Sequence, residues 1–218
     1  MKKINRILCE ILYRVYERNE FFMSQKALAQ ACEASMDAVN RLVKKLNQFR
    51  SIEKKPLGFR VTEPEKILTY WATTRNLARD ITYSTYSANS VSEIEGDMPP
   101  GSVFTMFSGY SLRFNETPTY YEEVYVYADQ DAVKRKFPES QAERRNLFVL
   151  RQDPHLERTS KNGAAPLAQL YVDLWQLGGS PADRFLLELK KKLKAKPVEA
   201  LKALVRKENI HSSHPIEL

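Results

Sequence analysis

An α+β fold is what this sequence predicts, and three changes of pattern along it carry that expectation. Apolar residues recur at three- and four-residue steps over roughly the first fifty positions, then at two-residue steps in a short basic segment. From about residue 81 short alternating runs bounded by turn residues take over. The last third returns to helical spacing.

The first helix is expected over residues 3–18, with Ile4, Leu8, Ile11, Leu12, Val15 and Tyr16 on one face. After the loop NEFFMS, Ser24 has the side chain to N-cap a second helix over 25–32, whose inner side is Leu28, Ala29 and Cys32. Glu33-Ala34-Ser35 makes a tight turn, and Ser35 caps a third helix over 36–50 that buries Val39, Leu42, Val43, Leu46 and Phe49. Its other face carries Asp37, Asn40, Arg41, Lys44 and Lys45. SIEKKPLGFRVT then alternates as two short strands, Ile52 on one and Phe59 and Val61 on the other, with Pro56 and Gly58 marking the turn. Thr62 is positioned to cap a fourth helix with Pro64 and Glu65 in its first turn and Ile67, Leu68, Trp71 and Leu77 inward.

Beyond residue 80, ITYSTYS predicts a strand, and SVSEIEGD a short helix with Ser90 and Glu93 as a capping box. GSVFTMF predicts a strand running into a small-residue turn, SGYSLRF, and YYEEVYVYA a strand alternating aromatic with polar residues. DQDAVKRKF predicts a helix and RRNLFVLRQ a strand. APLAQLYVDLWQLG, SPADRFLLELKKKLKA and PVEALKALVRKE predict three closing helices, with Leu167, Leu170, Tyr171, Leu174 and Trp175 on the apolar face of the first and Asp173 on another. HSSHPIEL reads as a loose tail. The organisation expected is a winged helix-turn-helix over 1–62, a linker helix over 63–80, an α+β interaction domain over 81–210 and a tail over 211–218.

Charge divides along the same line. Residues 1–62 hold 13 Lys and Arg against 6 Asp and Glu, while the rest of the chain balances 21 against 21. The whole excess of +7 therefore lies on the helix-turn-helix segment, as a nucleic-acid-binding unit joined to one of another purpose would show. A second basic stretch, Arg184 to Lys207, holds nine basic and two acidic residues. It serves as a helix end complementing its dipole, a further DNA surface or a dock for an acidic partner. No apolar run approaches the roughly 20 residues that span a bilayer. Lys2 and Lys3 precede an apolar stretch, but Arg6, Glu10, Arg14 and Glu17 interrupt it, so a cytoplasmic protein is expected. Cys9 and Cys32 sit at apolar helical positions without a partner at metal-ligand spacing and are expected to be buried free thiols.

A helix-turn-helix works because its second helix enters the major groove while the first braces it. The residues assigned to DNA are Gln25 at the start of the first of these helices and Ser35, Met36, Asp37, Asn40, Arg41, Lys44 and Lys45 on the second, with Lys54, Lys55 and Arg60 on the wing. Asn40 has the donor and acceptor for adenine, and Arg41 the fork for guanine or a phosphate. The lysines suit phosphates, which position without reading sequence. Asp37 is discordant unless it caps the helix or accepts from a cytosine.

Catalytic signals are weak. Gly101-Ser102 with Asp129-Gln130-Asp131 would make a phosphate turn with paired magnesium ligands, but the 27-residue separation of Ser102 and Asp129 is too long, and the acidic pair opens a helix where caps belong. His155 is read as alone in a polar loop, and His211 and His214 as part of the tail. No catalytic residue, metal ligand or cofactor is assigned.

The N-terminal pattern, the segment GSVFTMFSGYSLRFN and the run GAAPLAQLYVDLWQLGGSPADRFLLELKKKL together resemble the AbiE-type antitoxin regulators of type IV toxin–antitoxin systems. The resemblance implies an autoregulating, non-enzymatic repressor that binds operator DNA through its winged helix. Its C-terminal domain would oppose a nucleotidyltransferase-like toxin. A homodimer and the absence of any membrane partner complete the expected set. Two alternatives stand beside it: a nucleic-acid-processing enzyme targeted by the winged helix, and a ligand-sensing repressor.

Overall fold

The architecture was obtained as a computed structural model that describes residues 2–195. It is an α+β protein with two small sheets. The final expected helix, the histidines of the tail and the end of the second basic stretch lie outside the described residues.

The N-terminal part runs α1 (Lys3–Arg18), β1 (Phe22–Met23), α2 (Gln25–Ala31), α3 (Met36–Gln48), β2 (Ile52–Lys55) and β3 (Gly58–Val61). Its sheet has the order β1-β3-β2, all antiparallel. Strand β1, inside the loop NEFFMS, has no sequence signal: two residues are too few for a period, and only the register Phe22↔Arg60 and Met23↔Phe59 defines it. Ser24 and Ser35 cap α2 and α3 as expected, accepting from the amides of Ala27 and Ala38 at 3.1 and 3.2 Å. Helix α3 stops at Gln48, two residues short of the expected end. Phe49 is therefore not in the core but partly exposed, its ring 5.2 Å from that of Tyr70.

Helix α4 (Pro64–Thr74) follows, and Thr62 does not cap it. Glu63 holds the N-cap position without a side-chain bond, and the amides of Thr62 and Glu63 both donate to the Ser51 carbonyl at 3.0 and 3.1 Å. Pro64 brings no N–H to satisfy. Leu77 is buried, but in the loop after the helix.

The second sheet has the order β4-β7-β6-β5, from β4 (Ile81–Thr85), β5 (Val103–Thr105), β6 (Val124–Ala128) and β7 (Leu147–Arg151). Strands β6 and β7 are parallel, which requires a crossover; α7 (Gln130–Lys136) lies within that connection, capped by Asp129, whose carboxylate accepts from the Ala132 amide at 2.7 Å. The expected aromatic–polar alternation in β6 is not found: all five residues are buried. Val124, Val126 and Ala128 face one cluster, with Ile94 of α5 (Val91–Gly96) and Val133 of α7. Tyr125 and Tyr127 face the main core. A strand covered on both sides has no use for a polar face.

The run SGYSLRF is not a turn. Residues Met106–Phe114 form α6, in which Gly109 serves close packing rather than reversal. A Cβ there would lie 2.7 Å from the Phe104 carbonyl oxygen and 2.6 Å from Cδ2 of Leu170. His155 is likewise not in an open polar loop but buried in α8 (Pro154–Thr159). Helix α9 (Leu167–Leu177) reverses part of the expected pattern: Asp173 is fully buried, and Trp175 is 39% exposed. The cause is its surroundings. Helix α9 packs on α1, α4, α6 and β5, so residues 167–174 are all covered, polar ones included. Residues 182–195 form α10.

One apolar core runs from Ile7 of α1 through Trp71 of α4 to Leu170 of α9 and Phe185 of α10. Two buried polar groups stitch it. Arg75 lies 2.9 Å from Asp173 and 3.2 Å from Asp80, and donates to the Tyr127 hydroxyl at 2.7 Å. Thr105, Tyr127 and Gln169 donate to the same Asp173 carboxylate. Burial opposes the charge on Arg75, yet Asp173, Tyr127 and Asp80 hold its pKa above the ordinary value. Midway along α1, His155 Nε2–H donates to Glu10 Oε2 at 2.8 Å, and Arg14 donates to Glu10 Oε1 at 2.6 Å. Arg6 donates to Asp153 at 3.0 Å. Glu17 pairs with Arg113 and accepts from the Leu167 amide at 2.9 Å, so a carboxylate on α1 caps the start of α9.

Candidate nucleic-acid interface

Helix α3 is amphipathic, and its packing decides what it shows to solvent. Val39, Leu42, Val43 and Leu46 are buried, which leaves Met36, Asp37, Asn40, Arg41, Lys44 and Lys45 exposed along the opposite face. Ser35 is exposed too, but its hydroxyl is used as the cap. The turn before it places Glu33 in the left-handed conformation, at φ +50.

Asp37 and Arg41 form an exposed ion pair at 2.5 Å, one helical turn apart. This resolves the discordance of an acid on a basic face. In the first turn Asp37 meets the positive end of the helix, and its charge is matched by Arg41. Exposed pairs of this spacing stabilise a helix by about 0.3–0.5 kcal/mol, so Arg41 is released at small cost. Lys45 lies over the ring of Tyr70, 4.9 Å from its centroid. Among the described residues, Lys44 has no ion-pair partner. Gln25 is half-buried, with its Oε1 shielded and without a hydrogen bond.

The hairpin register sorts its charged residues in a way the sequence does not show. Ile52 pairs Val61, Glu53 pairs Arg60, Lys54 pairs Phe59 and Lys55 pairs Gly58. Paired residues share a face, so Lys55 and Arg60 lie on one side with Glu53, and Lys54 lies on the other. Lys55 donates to Glu53 at 2.7 Å. The turn itself is Pro56-Leu57: Leu57, not glycine, takes the left-handed conformation at φ +67 and is 93% exposed. Gly58 is required for another reason. A Cβ there would come within 2.3 Å of the Met23 carbonyl oxygen, so only glycine lets β1 pair with β3.

The end of α3 and the base of the hairpin are one unit. Ser51 donates through its hydroxyl to the Leu46 carbonyl at 2.8 Å and accepts from Thr62 and Glu63. The face therefore combines one rigid exposed helix with a short basic hairpin tied to its C-terminus. Tyr70 and Glu53, which hold Lys45 and Lys55, belong to the surface as well. No motif distinguishes them, because each matters only through a contact across elements.

Among the described residues no group of His, Cys, Asp and Glu has a metal-binding arrangement, and no helix is long and apolar enough to cross a membrane. Cys9 and Cys32 are buried free thiols, with Cys32 Sγ directed at the Arg6 carbonyl. Burial, then nearby Glu10, raises both thiols, Cys32 to about 12. Neither a protein-family model nor a curated protein or solved structure matches the chain.

Proposed function

We propose that residues 1–62 form a winged helix-turn-helix and that the chain is a sequence-specific DNA-binding transcriptional regulator. The observation that carries this reading is the exposed face of α3. Asn40 and Arg41 stand on its first two turns, where base edges are reached, and Lys44 and Lys45 follow where phosphates are met. The order of elements, the cap-to-cap separation of α2 and α3, and a basic hairpin joined to the end of α3 all support it.

The finer proposal comes from the resemblance to AbiE-type regulators: a cytoplasmic, autoregulating antitoxin whose C-terminal part opposes a nucleotidyltransferase-like toxin, without enzymatic activity of its own. The capping bond of Asp129 supports a structural use of the DQD segment over a metal-binding one.

The test is selection of duplexes from a random pool by the full chain, followed by anisotropy titrations at several salt concentrations. Recovery of a defined sequence is expected, bound at least a hundredfold tighter than random duplex. The affinity for both should fall steeply with salt, because each neutralised phosphate contributes about 0.9 to the logarithmic slope. Equal binding to selected and random duplexes would remove sequence reading. Binding insensitive to salt would remove the basic face from any role.

A further inference from the structure

A cleft of about 250 Å³ lies where α1, α4, α9 and α10 meet. Its walls hold Tyr16 of α1, Glu65 of α4, Tyr171 of α9, and Lys190 and Lys194 of α10, with leucines between them. Tyr16 is 5% and Tyr171 7% exposed, so the ring of each is buried in the core. Yet neither hydroxyl has a hydrogen-bond partner among the described residues. Buried tyrosines usually satisfy their O–H; these two residues instead line the cleft. Burial, followed by the charge of Glu65, holds both phenols above their ordinary pKa. They stay protonated and available as donors.

Lys190 and Lys194 are four residues apart, hence on one face of α10. Neither makes an ion pair among the described residues, and Lys190 sits over the Tyr171 ring at 5.8 Å. Other lysines of this helix are engaged: Lys191 with Glu188 and Lys192 with Glu116. The cleft thus gathers two lysines and two tyrosines around Leu68 and Leu193, with the single carboxylate of Glu65 as an acceptor.

We infer that this cleft binds a small phosphate ester. The two lysines and two hydroxyls supply donors to the phosphate oxygens, and Glu65 accepts from a hydroxyl on the organic part. Drug-sized ligands fill pockets of about 300–1,000 Å³, so this volume suits a molecule of a few carbons. An occupant bridges α1, which belongs to the DNA-facing half, to α10 of the C-terminal half. The binding is independent of the DNA reading and is measured without DNA.

The experiment is calorimetric titration of the full chain with ribose 5-phosphate and glycerol 3-phosphate, against ribose and inorganic phosphate at matched ionic strength. Saturable binding of at least one ester is expected, tenfold or more tighter than inorganic phosphate or the free sugar. Tyr16→Phe and Tyr171→Phe remove one oxygen each and should weaken it by at least fivefold while circular dichroism stays unchanged. Lys190→Met with Lys194→Met should abolish it. Lys161→Ala, which removes one exposed positive charge away from the cleft, should leave it intact. Failure of both esters to bind would overturn the inference. So would equal loss in Lys161→Ala, or full affinity in both tyrosine variants.

Discussion

At the scale of single residues the chain shows how little a residue type says before its neighbours are known. Arg41 and Lys54 are both exposed cations in the basic half, but they differ in kind. Arg41 stands on the early turns of α3 with its guanidinium engaged by Asp37, at a cost to release below what a bidentate base contact returns, about 1–3 kcal/mol. Lys54 stands on the β2–β3 hairpin, on the face opposite Arg60. Arg41→Ala is therefore expected to lower affinity for a selected duplex while hardly changing affinity for random DNA. Lys54→Ala should weaken both alike and reduce the salt slope by about one. Parallel anisotropy titrations compare them, and identical behaviour of the two variants would show that the roles are misassigned. Glu10 is a second instance. Burial alone raises a carboxylate, but the hydrogen bonds from His155 and Arg14 and their charges outweigh it, so Glu10 lies below the ordinary value of 4.5. A depressed carboxylate contributes stability that is complete above its unfolded pKa and is lost as the pH falls through the folded one. Glu10→Gln should thus be less stable than the wild type near neutrality. The difference should shrink between about pH 5 and pH 3. A gap in unfolding midpoint that does not narrow on acidification would show that Glu10 acts through shape alone.

At the scale of elements, α6 is the informative case. Ser108-Gly109 has the composition of a turn, and helix propensity penalises glycine by about 1 kcal/mol. The helix forms because its face meets β5 and α9, and glycine is the residue that lets it approach. Gly109→Ala tests which effect dominates. Propensity alone would stabilise α6, whereas a methyl group against the Phe104 carbonyl, which belongs to the backbone and cannot rotate away, overpacks it by about 1–3 kcal/mol. Net destabilisation is expected in urea unfolding, and a raised midpoint would mean that α6 is free to shift. Strand β6 makes the same point for patterns. Its polar neighbours Glu122 and Glu123 fall outside it, and VYVYA serves two cores at once.

For the whole molecule, residues 63–80, expected as a linker helix, pack into the shared core. Trp71 and Ala72 of α4 are fully buried, Gln176 of α9 donates to the Ala72 carbonyl at 2.8 Å, and Arg75 closes the buried network with Asp173. Cutting there would expose the sides of α1 and α4 that meet α9 and leave Asp173 without its cation, a loss that costs about 3–5 kcal/mol when one partner of a buried pair is removed. The full chain should accordingly unfold in one transition, with tryptophan fluorescence and far-ultraviolet dichroism coinciding in denaturant. A fragment ending at residue 80 should unfold at lower denaturant and with less cooperativity. Two separated transitions in the full chain would mean that the shared core does not couple its halves.

Helix caps at Ser24, Ser35, Ser90 and Asp129, the inward face of α2 and those of α1, α3 and α4 apart from Ile4, Phe49 and Leu77, the basic surplus before residue 62 and the strands β4 and β7 were all determined by the sequence alone. Each depends on groups within a few positions of one another, where side-chain period and local hydrogen bonding are sufficient. Tertiary structure alone decided the rest: that a two-residue strand pairs beside the hairpin, that Lys54 and Arg60 part company, that His155 and Asp173 are buried, and that Tyr16 and Tyr171 line one cleft. Those outcomes depend on partners more than a hundred residues away, as with Glu10 and His155, or on the cover of a second face. Such contacts leave no period in the chain, because a polar side chain is equally suited to water and to a partner that packing brings to it.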